Sequence, residues 1–141
     1  MKNKNKKTLG FLLARTSNAM STYFNGFLKE QGIDIPHSQY IVLKILNDED
    51  GISQHELSVR TFKDEAAVKR TLDILEKKGL VKRVPTNTRK NNIVLTEEGR
   101  ALMPRICDCV KKSKQTALSG ITDAEYNIFV NILERIYENM K

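Results

Sequence analysis

Cysteine is scarce in this chain: Cys107 and Cys109 are the two present, too few and too close for a disulfide framework, which fits a reducing compartment. Two residues apart on a helix, they point about 200° away from each other and cannot jointly grip a metal or easily form a bond. Burial of both as small apolar residues is expected. A thiol sensor needs one of them exposed near a base, and Arg105, Lys111 and Lys112 are close in sequence. Histidine is equally rare, and His37 and His55 fall on different predicted elements, so no metal is expected. No apolar run approaches the ~20 residues that cross a bilayer. Met1 to Lys7 leads into too short an apolar stretch, without a clear cleavage site, to read as a signal peptide. The expectation is a cytoplasmic chain with no membrane partner. A phosphate-cradling glycine loop, H-E-x-x-H and G-x-S-x-G are all missing, which argues against an enzyme and against a cofactor. There is no internal repeat or low-complexity linker, and 141 residues make one domain or a domain plus a dimerisation element.

What is present is positive charge, concentrated in one place. Between residues 60 and 90 there are ten Lys or Arg against four Asp or Glu, a net of +6 in a chain whose total is +7. Surplus local charge of this kind suits phosphate binding. The same region carries the clearest helix signals. Ser53 and Glu56 have the S-x-x-E spacing of a capping box, which predicts a short helix over about 53–60. Thr61 to Lys63 break it. Asp64 can cap a second helix in which Val68, Leu72 and Leu75 form one apolar stripe, and Gly79 ends it. Two capped helices joined by a turn of about four residues predict a helix-turn-helix whose second helix enters the DNA major groove. Leu80, Val81 and Val84, a polar tip at Pro85 to Asn92, and the returning Ile93, Val94 and Leu95 predict a β-ribbon, or wing.

The run D-E-A-A-V-K-R-T-L-D-I-L-E-K-K-G-L-V-K-R from Asp64, followed by I-V-L-T-E-E-G, resembles the MarR family of bacterial transcription regulators. The resemblance covers essentially the whole chain. It implies a mainly α fold with a small β-wing, a winged helix-turn-helix carrying N- and C-terminal dimerisation helices. The family's wing usually carries Asp-Arg-Arg, and Asn87, Thr88 and Arg89 stand there in this chain. The resemblance implies that Arg89 enters the minor groove. It also implies a small, often aromatic effector in a crevice between the dimer helices and the winged domain, lined here by Tyr23, Phe27, Tyr40 and Phe62, residues that serve as readily in a core.

The rest of the chain fits around this unit. Lys2, Lys4, Lys6 and Lys7 make a basic start. Thr8 to Gln31 reads as one long helix closed by Gly32, with apolar residues on more than one narrow stripe, which suggests burial against a second subunit. After Ile35-Pro36, a helix from His37 to about Leu46 buries Ile41 with Ile45 and Val42 with Leu46. Thr96 caps a helix reaching about Leu118, in which Pro104 predicts a kink or a delayed start. Thr122 and Glu125 form another capping box, and Phe129, Ile132, Leu133, Ile136 and Met140 stripe the last helix. The organisation expected is an arm and dimerisation helix over 1–35, the DNA-binding domain over 36–96, and dimerisation helices over 97–141.

On the second helix of the motif, Arg70 is the candidate for a guanine contact, Lys69 for a base or phosphate contact, and Ala66 for close approach to the groove. Ser53, Gln54, Arg60, Lys63 and Lys90 are candidates for phosphate. Lys77, Lys78 and Lys82 are expected to balance Asp73 and Glu76. Together with the apolar terminal helices, the resemblance implies a homodimer that binds double-stranded DNA and regulates transcription, most simply as a repressor. A winged protein-interaction module and a thiol-based regulator using Cys107 or Cys109 stay open as alternatives.

Overall fold

Thr8 has the extended backbone of a helix cap, and its hydroxyl accepts from the Phe11 amide at 3.2 Å, which starts α1 (Leu9–Glu30). Gly32, at φ +75, closes that helix in the left-handed conformation that glycine adopts without strain. The computed structural model describes residues 7–86 and 91–141. It continues as α2 (His37–Asp48), β1 (Ile52–Ser53), α3 (Gln54–Thr61), α4 (Glu65–Lys77), β2 (Val81–Pro85), β3 (Asn91–Leu95), α5 (Glu97–Ala117) and α6 (Asp123–Met140). No helix among the described residues is long and apolar enough to cross a membrane.

Side-chain caps explain most of these starts. The Thr96 hydroxyl accepts from the Gly99 amide, and Thr122 and Glu125 form both halves of a capping box. α2 is different, because Pro36 offers no side-chain acceptor; Asn25 of α1 accepts from the His37 amide at 2.7 Å instead. α2 also runs two residues past its predicted end. Its buried face is Val42, Leu43 and Leu46, while Ile41 and Ile45 are only half-buried. α5 continues through Pro104 with no delay in its start.

The sheet is antiparallel in the order β1-β3-β2, so the expected ribbon gains a third, two-residue strand. Val81 pairs with Leu95, and Pro85 with Asn91, so the strands extend into the segment predicted as a polar tip. Pro85 ends an edge strand, where a residue without an N–H is tolerated. One core joins Leu28 of α1, Leu43 and Leu46 of α2, Leu57 of α3, Leu72 and Leu75 of α4, Ile93 of β3, and Met103 and Ile106 of α5. α6 contributes no buried residue.

Candidate nucleic-acid interface

Ser53 caps α3 as its spacing predicts, with Oγ accepting from the Glu56 amide at 3.1 Å. The reciprocal half of the box does not form. Glu56 turns instead to the next turn of the helix, where Arg60 Nε donates to it at 2.9 Å, and a second Arg60 nitrogen donates to Glu49 at 2.8 Å. Arg60 thereby holds the Glu49 carboxyl below its ordinary range. Arg60, a phosphate candidate by sequence, is thus held by two carboxylates at the surface and ties α3 to the loop after α2; to reach phosphate it would first have to leave them.

The turn between α3 and α4 passes through Phe62, whose φ of +56 is rare for a bulky residue. Asp64 then caps α4, its Oδ1 accepting from the Ala67 amide at 2.7 Å. Val68, Leu72 and Leu75 are buried, which turns Ala66, Lys69 and Arg70 outward. Lys69 pairs with Asp73 at 3.2 Å, whereas Arg70 and Lys63 have no ion pair among the described residues. Asp73 is held below its ordinary range by Lys69 and then by Arg83.

Arg83 is the residue that sequence reasoning missed. From β2 it donates to Glu76 at 3.0 Å and to Asp73 at 2.9 Å, locking the wing to α4. Lys78 was expected to balance these acids; it donates instead to the Asp34 carbonyl and, at 2.7 Å, to the buried Gln39 amide oxygen. These contacts fix the end of α4 to α2 and to the loop before it.

Ser53, Gln54 and His55 at the start of α3, Glu65 at the start of α4, and Arg83, Asn91 and Ile93 of the sheet line an open recess of about 190 Å³. His55 Nδ1 lies 3.0 Å from Glu65 Oε1 across it. Arg89 and Lys90, the wing candidates, lie outside the described residues.

The four aromatic candidates are only partly brought together. Tyr23 and Phe27 stack at 6.4 Å, and Tyr40 packs on Phe24 at 5.2 Å. Tyr23 Oη also donates to Thr116 Oγ1 of α5 at 3.4 Å. Phe62 stands apart, 79% exposed, with its ring contact to Tyr137 of α6. Of the cysteines, Cys109 is buried and its thiol is pushed up by that burial, but Cys107 is exposed, contrary to the expectation for both. Helix geometry accounts for the split, since alternate residues cannot share one face.

Residues 33–90 match the model of the MarR family. A relative in Thauera aromatica, a transcriptional regulatory protein ascribed to an hcr operon, is 29% identical over 100 residues, 70% of this chain and 60% of that protein. The chain thus spans under two thirds of that relative's length. The solved transcriptional regulator PA3341 is 30% identical, with 94% of this chain and 98% of that chain covered and a TM-score of 0.81. A regulator from Listeria monocytogenes assigned to the MarR family, solved with a 26mer DNA, is 27% identical, with 95% and 89% covered and a TM-score of 0.81. With the capped helix-turn-helix, the wing and the outward face of α4 in place, these similarities show that the chain belongs to the MarR family of winged-helix, DNA-binding transcriptional regulators.

Proposed function

We propose that the protein acts in the cytoplasm as a homodimeric repressor, placing the two α4 helices in successive major grooves of a pseudo-palindromic operator with half-sites about 10 to 10.5 base pairs apart. The observation that carries this reading is the outward face of α4, where Arg70 is exposed beside Ala66 and makes no ion pair among the described residues. The similar Listeria regulator solved with DNA supports it. Arg70 reads a guanine, Lys69 reaches a base or phosphate by releasing Asp73, and Ser53, Gln54 and Lys63 meet phosphates. Arg89 and Lys90 extend the contact along the wing. Repression needs nothing further, since a bound dimer occludes the DNA that it covers.

Residues 36–96 form the reading domain in this proposal, and the helices on either side form the dimer. Ile128 of α6 is 61% exposed and Phe11 of α1 is 52% exposed, with Phe129, Ile132 and Met140 also open. Apolar faces on this scale mark an interaction surface. An aromatic effector seated near Tyr23, Phe27 and Tyr40 would lower operator affinity by binding better to a spacing of the lobes that does not fit DNA.

Selection from random duplexes at near-physiological salt tests the function. Enrichment of a two-fold symmetric motif is expected. No enrichment, with affinity that vanishes steeply as salt rises, leaves nonspecific phosphate binding and favours a protein-interaction module. The dimer has its own test in Ile128→Glu with Ile132→Glu. Sedimentation should show a monomer, and operator affinity should fall by about 10²-fold or more as the second half-site contact is lost; an unaltered dimer places the interface elsewhere.

A further inference from the structure

Glu65 is the first residue of α4, at the end of a recognition helix that meets base edges. Its side chain is 57% exposed, and among the described residues its one side-chain hydrogen bond or ion pair is the 3.0 Å approach of His55 Nδ1 from α3. α3 and α4 are packed into one core, so the pair bridges two elements fixed relative to each other. Two cations close to it are engaged elsewhere. Arg83, in the same recess, donates to Asp73 and Glu76, and Lys69, one turn along α4, pairs with Asp73. Among the described residues no Lys or Arg is paired with Glu65.

An exposed pair like this adds little to stability, and an unneutralised carboxylate at a phosphate-lined groove opposes binding unless it receives a hydrogen bond there. A carboxylate has acceptors only. The major-groove donors are the amino groups of cytosine and adenine. Adenine presents its N7 acceptor beside the amino group, which repels a second carboxylate oxygen, whereas cytosine presents the amino group alone.

We propose, resting on the DNA-reading function above, that Glu65 accepts from a cytosine amino group in each half-site and that His55 is its positioning residue. Nδ1–H donates to Oε1, fixing the side chain, and Oε2 is left to meet the base. The neutral ring in its Nδ1–H form and the protonated ring supply the same donor, so the arrangement does not depend on the charge of His55.

The intact protein, taken through selection and then competition with single-base variants of the selected duplex at fixed salt, gives the test. Each half-site should prefer cytosine at one base pair. Glu65→Gln should move that preference towards adenine, whose amino group and N7 match a carboxamide. His55→Ala should weaken the cytosine preference about tenfold at that base pair and leave the others unchanged. His55→Asn, whose amide nitrogen falls where Nδ1 stands, should retain it, and His55→Ala added to Glu65→Gln should change nothing more. Thermal melts that match the parent protein establish that each variant is folded. A motif in which no column responds to Glu65→Gln overturns the proposal alone, as does a His55→Ala loss spread evenly over all columns. If the parent protein enriches no motif, the DNA-reading function itself fails.

Discussion

Arg70→Ala should abolish discrimination at one base pair of each half-site, costing about 1 to 3 kcal/mol per half-site in operator affinity, while the melting temperature stays where it was. The size of the effect follows from how little else Arg70 does. It is exposed on α4 and makes no ion pair among the described residues, so its guanidinium reaches DNA without first breaking a bond inside the protein. The fold loses nothing when it is removed, as is usual for surface positions. Lys69 is a useful contrast. It must leave Asp73 to reach DNA, so Lys69→Ala should lower affinity less and more evenly across sequences. Competition between the selected duplex and its single-base variants separates the two. If Arg70→Ala weakens all duplexes alike and lowers the salt slope by about one, Arg70 is a phosphate contact and another residue reads the guanine.

The parts of this interface that were legible in the sequence are those set by local chemistry. Ser53, Asp64, Thr96 and Thr122 cap the helices that their spacing predicts, because a capping side chain bonds an amide only two or three residues on. The stripe of Val68, Leu72 and Leu75 fixed which side of α4 faces outward for the same reason. β1 was invisible, since two residues carry no alternation. Charge was less legible. A count of Lys and Arg between 60 and 90 does not show their partners, and Arg60, Lys78 and Arg83 are engaged by Glu49, Gln39 and Asp73, which lie 11, 39 and 10 positions away. No periodicity brings such pairs together; the packing of α2, α3, α4 and the wing does. Fewer of these cations are therefore unpaired than the composition implies; Lys63 and Arg70 are two that make no ion pair among the described residues. Glu65 and His55 meet across 10 positions in the same way, a pairing that exists only in the folded chain.

The same substitution at two glycines should move stability in opposite directions. Gly99 is the third residue of α5, and its amide donates to the Thr96 hydroxyl at 3.1 Å. A β-carbon there would overlap the Leu80 carbonyl oxygen, stand 3.2 Å from the Leu80 carbonyl carbon and 3.3 Å from Leu95 Cδ2. That carbonyl cannot easily retreat, because it accepts from the Thr96 amide at 3.0 Å while the Thr96 hydroxyl donates to the Gly79 carbonyl at 2.6 Å. Overlap with fixed backbone costs about 3 kcal/mol or more. Alanine recovers about 1 kcal/mol of helix propensity, so Gly99→Ala should be destabilising by about 2 kcal/mol or more. Gly26, exposed on α1 with nothing within 4 Å of a β-carbon, meets no such overlap, and Gly26→Ala should gain up to about 1 kcal/mol. Urea melts of both variants at one protein concentration measure the difference. The Gly99 result also bears on function. The start of α5 rests on the turn into β2 at this point, so a variant that folds with the two elements pushed apart would displace the wing from α5 and, on the proposed function, weaken operator binding beyond its loss of stability. If Gly99→Ala melts with the parent protein, the backbone there can yield, and the close seating of α5 on the wing is not what sets their angle.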